Sequence, residues 1–232
     1  MAPLEEVGDG LWVLDGSVVS FFGFRYPTRM AIARLRSGAL WLWSPVALEP
    51  SVRRAVESLG EPRYAVEPNS LHHLALAEWT KAWPSLRLWA PPALAKKRRD
   101  LRFEGELGDE APAEWRGEID QLRVEGSFAL TEVLFFHRAS RTCLVGDLIQ
   151  RFDLDFQRGW RGWMMRANDL VGPSGSTPRE WRATFLRRER ARRSIERALA
   201  WNPAHLVVAH GVWARGDGAA SLRASMRWLL GS

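Results

Sequence analysis

The stretch Leu206-Val207-Val208-Ala209-His210-Gly211 is a short apolar run that ends in a histidine and a glycine. A run of this length that closes on a turn residue is typical of a buried β-strand, so His210 is expected where a strand passes into a loop. Two other sets of potential ligands, His72-His73 and Asp147, follow comparable runs upstream. Three of the five histidines therefore fall at predicted strand-to-loop junctions, which indicates one shared site.

Length and composition predict a single domain over residues 1–232, since a chain of this size can bury a substantial core. No window of about eighteen uncharged apolar residues occurs, and the start, Met1 to Glu6, has neither a basic end nor a hydrophobic stretch. We therefore expect no membrane span and no signal peptide. The single cysteine, Cys143, has no disulfide partner, which favours a reducing cytoplasm.

Arginine carries most of the formal net charge of +6, and much of it is concentrated between Arg179 and Arg197. Such a stretch either binds nucleic-acid phosphates or forms the solvated face of an amphipathic helix. Glutamates alternate with the arginines, and apolar residues recur at helical spacing, which favours the second interpretation. The predicted buried stripe consists of Trp181, Phe185, Ile195 and Leu199. We expect no nucleic-acid partner; a nuclease that uses this helix as its binding surface is the alternative hypothesis.

The apolar periodicity predicts strands and helices that alternate along the chain, with hairpin-like pairs of strands in both halves. A helix is expected from His72-His73 to about Trp83, and another is expected to begin at Leu148. Trp160 and Trp163 fit no clean period and are expected in a loop. The predicted strands are residues 10–16, 30–35, 39–43, 64–66, 86–89, 119–124, 132–136, 142–145 and 206–209.

A metal centre is the physical reason to group these histidines with Asp147. Adjacent side chains on a strand point to opposite faces, whereas in a loop or first helical turn they diverge by only about 100°, so His72 and His73 could converge there. The break at Pro68-Asn69 supplies that context. Neutral imidazoles with one carboxylate suit zinc, iron or manganese.

The order of these motifs resembles the metallo-β-lactamase superfamily. The resemblance is carried by His72-His73, Val145-Gly146-Asp147-Leu148 and Val207-Val208-Ala209-His210-Gly211. It implies an α/β (α+β) fold, a four-layer αββα sandwich with the site along one edge, over which residues 151–178 could fold as a lid. An uncharacterised domain family described as metallo-β-lactamase-like is similar in four shorter stretches: Pro27-Thr28-Arg29-Met30, Leu42-Trp43-Ser44-Pro45-Val46, Pro68-Asn69-Ser70-Leu71-His72-His73 and Phe136-His137-Arg138-Ala139-Ser140-Arg141-Thr142.

The superfamily's ligands carry over to this sequence only in part. In its His-any-His-any-Asp-His signature the first two histidines fall on Pro68 and Ser70, and a third falls near Gly126-Ser127. These residues offer no imidazole, so the resemblance implies that the first metal site is lost. The second site would consist of His72, His73, Asp147 and His210. We therefore expect one divalent ion, zinc first, with iron or manganese as alternatives.

Each candidate ligand also has a purely structural interpretation. Either of His72 and His73 can begin a helix with its ring bonded to backbone, Asp147 can cap a helix that starts at Leu148, and His210 can be a structural histidine at a strand end. Taken together, the four side chains favour the metal.

A metal here would activate water to hydrolyse a small-molecule ester, amide or phosphoester, with Asp147 as a ligand or as a base that orients the water. A catalytically silent relative that binds a ligand or partner in the same crevice is the alternative. Metal analysis of the purified protein discriminates between them.

Overall fold

The computed structural model describes residues 4–21, 23–153 and 155–231. Part of the predicted N-terminal start, one position of the 151–178 segment and the last residue of the predicted domain lie outside the described residues. The strands, in chain order, are β1 (Leu4–Gly8), β2 (Leu11–Asp15), β3 (Val19–Phe21), β4 (Phe24–Tyr26), β5 (Arg29–Arg34), β6 (Leu40–Trp43), β7 (Pro62–Val66), β8 (Arg87–Ala90), β9 (Phe103–Glu106), β10 (Ile119–Val124), β11 (Glu132–His137), β12 (Thr142–Arg151) and β13 (His205–Gly211).

The helices lie between the strands and after the last one. They are α1 (Pro50–Glu57), α2 (Leu76–Ala82), α3 (Pro92–Lys97), α4 (Gly159–Ala167), α5 (Arg179–Thr184), α6 (Arg188–Ala200), α7 (Gly218–Ser225) and α8 (Arg227–Leu230). No helix of the described ranges combines the length and apolar character that crossing a membrane requires.

The larger sheet has the strand order β1-β2-β5-β6-β7-β8-β9. Its first four strands pair antiparallel, and β6 to β9 pair parallel. The change of direction follows from the connections, because α1, α2 and α3 cross over between strands that run the same way.

The second sheet has the order β10-β11-β12-β13, with β12 and β13 parallel. A small hairpin of β3 and β4 stands apart from both sheets.

Three apolar clusters define the layers of the molecule. One fills the space between the sheets and includes Trp41, Trp43, Phe135 and Val207. A second packs α1, α2 and α3 on the outer face of the larger sheet, and a third packs α6, α7 and α8 on the outer face of the smaller one. The order helix, sheet, sheet, helix confirms the predicted αββα sandwich, because each sheet buries both of its faces.

Three predicted elements need correction. The helix expected from His72 begins at Leu76 instead, because the Asn69 side chain accepts the N–H groups of Leu71 and His72 and holds them in a turn. No helix begins at Leu148, since β12 continues to Arg151 along β13. The expected loop that carries two tryptophans is the helix α4.

The arginine-rich stretch forms α5 and α6. Helix α6 buries Ala191, Ile195 and Ala198 against the smaller sheet, as the amphipathic interpretation predicts. Its arginines reach acidic partners in the pairs Arg192–Glu196, Arg193–Glu189 and Arg197–Asp109.

Candidate metal centre

His72 lies in the turn between β7 and α2. Asn69 Oδ1 accepts the backbone N–H of Leu71 at 2.8 Å and that of His72 at 3.4 Å, which fixes this turn after Pro68. The ring Nδ1 of His72 is 2.6 Å from Ser44 Oγ, at the end of β6. Ser44 has a φ of 52°, a left-handed conformation that is uncommon for a residue with a side chain. The ends of two neighbouring strands therefore orient this imidazole.

Asp147 lies in an irregular part of β12. Val145 pairs with Val208 and Gln150 pairs with His210, so residues 146–149 of β12 oppose Ala209 alone. Such a bulge re-aims side chains that a regular strand would alternate between its two faces. Asp147 is 6% exposed, and its carboxylate accepts a hydrogen bond from Asn69 Nδ2 at 2.8 Å.

His210 lies near the end of β13, as its position after the apolar run predicts. Its Nδ1 is 2.7 Å from the carbonyl oxygen of Pro27. The ring of Tyr26 packs edge-on against it, with 5.5 Å between ring centroids. Nearby, the buried Arg29 donates to the carbonyl oxygens of Val208 and Gly211 at 3.0 and 2.6 Å. The segment 26–29 thus holds His210 from its flank.

These three side chains meet at one point. Asp147 Oδ2 is 3.0 Å from His72 Nε2, and Asp147 Oδ1 is 3.2 Å from His210 Nε2. The two imidazole centroids are 5.2 Å apart, and one ligand atom from each residue lies within 4.8 Å of the others. In the part of the chain that the structure describes, this is the one group of His, Cys, Asp and Glu side chains with such spacing.

The hydrogen bonds of the two rings leave their Nε2 atoms for a ligand. A carbonyl oxygen can only accept, so His210 must carry its proton on Nδ1 when neutral, which leaves a lone pair on Nε2. His72 Nε2 is buried and has no partner with hydrogen-bond geometry, although Asp147 lies close to it. A buried nitrogen of this kind is costly unless it binds something, so the donor set fits a divalent ion.

The buried charges at the site shift one another's pKa values. Burial opposes ionisation of Asp147, but the two imidazoles outweigh it and hold the pKa of its carboxyl well below the usual value. Burial likewise lowers the pKa of His210, and the hydrogen bond and charge of Asp147 reverse this into a raised pKa. Burial, followed by repulsion from Asp147, raises the pKa of Glu132 to about 8. In the absence of metal, Asp147 and His210 therefore favour each other's charged forms.

His73 lies outside the cluster. Its Nδ1 is 3.2 Å from Arg98 Nη1, and its carbonyl oxygen accepts the same guanidinium at 2.8 Å. Burial and the positive charges of Lys97 and Arg98 lower the pKa of its imidazole. The structure thus brings together three of the four predicted ligands and directs His73 towards α3.

At two positions where the superfamily has further histidines, this chain has serines that make other contacts. Ser127 Oγ lies 2.7 Å from Thr184 Oγ1 and accepts the backbone N–H groups of Ala129 and Leu130. The Ser70 carbonyl oxygen accepts Lys97 Nζ. These contacts tie loops together.

Four residues that support the site were not predicted from the sequence: Pro27, Ser44, Asn69 and Glu132. Glu132 left one signal, an acidic residue at the head of the apolar strand Glu132-Val133-Leu134-Phe135-Phe136. The other three lie in stretches that resemble the uncharacterised domain family, but the resemblance does not reveal that they act through a backbone carbonyl, a hydroxyl and an amide.

Solved structures similar to this chain are metallo-β-lactamases. The enzyme from Pontibacter korlensis is 13% identical with a TM-score of 0.64, and each chain is covered completely at 100%. FIM-1 from Pseudomonas aeruginosa, solved in its mono-zinc form, is 12% identical with a TM-score of 0.65 over 97% of this chain and 93% of that one. The enzyme from Hirschia baltica is 14% identical with a TM-score of 0.65, covering 97% and 95%. This chain thus has a metallo-β-lactamase fold.

Sequence comparison gives a narrower assignment. No curated protein matches this sequence. The family described as a domain of unknown function (DUF4336) matches residues 8–156, a span that includes every strand from β2 to β12 together with His72 and Asp147. The chain belongs to this family, a domain of unknown function on a metallo-β-lactamase fold.

Proposed function

We propose that this protein is a metal-dependent hydrolase with a mononuclear site, which activates water against an ester, amide or phosphoester bond of a small molecule. The observation that carries the proposal is the convergence of His72, Asp147 and His210 from three distant parts of the chain. Two imidazoles and one carboxylate leave coordination positions for water and substrate, as catalytic sites with three protein ligands do.

A bound divalent ion supplies water of lowered pKa and polarises the carbonyl or phosphoryl oxygen of the substrate. We propose zinc first, and iron or manganese as alternatives, since all three accept this donor set. The metallo-β-lactamase FIM-1, which shares the fold, has been solved with a single zinc.

The residues of the chain orient the ligands and control their protons. Pro27 keeps the proton of neutral His210 on Nδ1, and Asn69 donates to the carboxylate of Asp147. The side chains of His72, Asp147 and His210 are only 8–9% exposed, so little water surrounds them. An ion and a proton compete for His210 Nε2, so metal binding is expected to tighten as pH rises.

A small molecule is the proposed substrate, and nucleic acid is the less favoured one. Arg192, Arg193 and Arg197 are paired with acidic side chains, which weakens the field that helix α6 offers to phosphates. We also propose a reducing, cytoplasmic setting, because the single cysteine, Cys143, is free and has no disulfide partner.

Metal content and hydrolysis, measured together, test the proposal. Wild-type protein purified without chelators is expected to carry about one divalent ion per chain and to hydrolyse a nitrophenyl ester or phosphodiester. His210→Ala should lose both properties. His205→Ala is the matched control, because His205 accepts the backbone N–H of Gly216 and lies outside the cluster.

Two results would contradict the proposal. Equal metal content in wild type and His210→Ala removes His210 from the site. Folded wild-type protein that takes up none of the three metals supports the silent, ligand-binding alternative.

A further inference from the structure

The bulge of β12 leaves backbone N–H groups beside Asp147 without acceptors on the neighbouring strand β13. Because residues 146–149 oppose Ala209 alone, their N–H groups cannot all find carbonyl partners on β13. A buried N–H group without an acceptor costs free energy comparable to a lost hydrogen bond. Gly146 and Leu148, which flank Asp147 on either side, are both buried.

The side chain of Glu132 on the neighbouring strand β11 supplies the missing acceptors. Its Oε1 accepts the N–H of Gly146 at 2.9 Å, and its Oε2 accepts the N–H of Leu148 at 2.9 Å. Asn69 Nδ2 donates both to Glu132 Oε2 at 3.2 Å and to Asp147 Oδ2 at 2.8 Å. The carboxyl group of Glu132 therefore binds the backbone on both sides of Asp147 and, through Asn69, is connected to the Asp147 side chain.

Burying Glu132 costs free energy that packing alone does not offset. Glu132 is 1% exposed, and no basic residue of the described chain forms an ion pair with it. Its neighbours Val133, Leu134 and Phe135 are apolar and buried. Burying a carboxyl group without a cation costs free energy of desolvation. Hydrogen bonds that hold a specific backbone geometry can offset this cost.

We propose that Glu132 is a positioning residue, which holds the bulge of β12 so that Asp147 meets His72 and His210. The inference rests on the proposed metal site. Gly146 contributes to this arrangement because it lacks a side chain. A Cβ there would lie 3.0 Å from Pro68 Cγ and 3.2 Å from both Asn69 Nδ2 and Glu132 Oε2. The Asn69–Glu132 contact thus occupies the space that a side chain at position 146 would need.

The substitution Glu132→Gln tests this role. Glutamine has nearly the same volume, but its amide nitrogen would face an N–H donor at one of the two positions where an oxygen of the Glu132 carboxyl group now accepts. We expect zinc to bind Glu132→Gln about 10- to 100-fold more weakly than wild type, the usual cost of losing support behind a ligand. The visible spectrum of the Co²⁺-loaded protein should change as well, because the variant would change the orientation of the Asp147 carboxylate.

Glu67→Gln is the matched control. Glu67 is also a glutamate with 1% exposure, but neither of its oxygens has a hydrogen-bond partner in the described structure. It should bind zinc as wild type does and give the wild-type Co²⁺ spectrum. If both variants lose affinity equally, burying an amide in place of a carboxyl explains the loss and the inference is overturned.

Amide hydrogen exchange in metal-free protein separates this inference from the proposed function. The N–H groups of Gly146 and Leu148 should exchange about tenfold faster in Glu132→Gln than in wild type. If wild type binds no metal, the proposed function fails, and these two amides still decide whether Glu132 holds the bulge. Unchanged exchange with unchanged zinc affinity overturns the inference.

The shorter variant Glu132→Asp keeps the carboxylate and guards against a folding failure of Glu132→Gln. Its zinc affinity should lie between those of wild type and Glu132→Gln. An affinity and an exchange pattern equal to wild type in Glu132→Asp would contradict the close fit of the Glu132 carboxylate.

Discussion

At the scale of single residues, the site depends on small groups that orient larger ones. The Pro27 carbonyl selects the tautomer of His210, and the Asn69 amide joins the turn that carries His72 to the Asp147 carboxylate. These groups determine which atoms of the imidazoles and the carboxylate remain available to a metal ion.

Gly211 is a residue whose lack of a side chain is required. Its φ is 103°, and a Cβ there would collide with the carbonyl oxygen of Arg151. We predict that Gly211→Ala lowers the free energy of unfolding by about 2–3 kcal/mol and weakens metal binding, because the end of β13 carries His210.

Gly38→Ala serves as the control for Gly211→Ala in urea unfolding. Gly38 has a φ of 84°, but no atom lies within 4 Å of a Cβ built there. Gly38→Ala should lower the free energy of unfolding by about 1 kcal/mol, from backbone strain alone. Equal losses in the two variants would show that crowding at Gly211 is unimportant.

At the scale of elements, apolar patterning predicts most strands, because burial determines the pattern, whereas the αββα layers are expected from the superfamily resemblance. Patterning fails where a side chain overrides it. Asn69 delays α2 to Leu76, and the residues after Val145 look like the start of a helix while they form the bulge of β12. The bulge depends on Glu132, which is distant in sequence, so local periodicity contains no record of it.

The same limit applies to the ligands. The sequence predicts His72, His73, Asp147 and His210 as members of one site, and the structure brings all of them except His73 together. It could not decide between His72 and His73, because that choice depends on which ring Ser44 and Arg98 engage.

At the scale of the whole molecule, the stability of the metal-free protein is expected to fall as pH rises. Burial and Asp147 raise the pKa of Glu132 to about 8, and Asp147 raises the pKa of His210 against the effect of burial. The unfolded chain loses the Glu132 proton at about pH 4.3 and the His210 proton at about pH 6.5, whereas the folded chain holds each of them to a higher pH, that of Glu132 to about 8. Folding therefore takes up protons in between. Stability from the raised His210 pKa is therefore complete below about pH 6.5 and is lost above it.

We predict that the free energy of unfolding decreases between about pH 7 and 8.5, at up to about 1.4 kcal/mol per pH unit for each proton taken up. Glu132→Gln should show a smaller decrease. Denaturant unfolding at a series of pH values, in the presence of a chelator, measures the free energy of unfolding of both proteins. A stability that is flat or rises over this range would contradict the assigned protonation of the site.

The central claim is that His72, Asp147 and His210, without His73, hold one divalent ion. The most direct measurement compares the zinc dissociation constants of His72→Ala and His73→Ala, which differ by one position in the sequence. We expect a loss of zinc affinity of about 100-fold or more for His72→Ala and a change within about threefold for His73→Ala. A large loss in His73→Ala with little change in His72→Ala would contradict it.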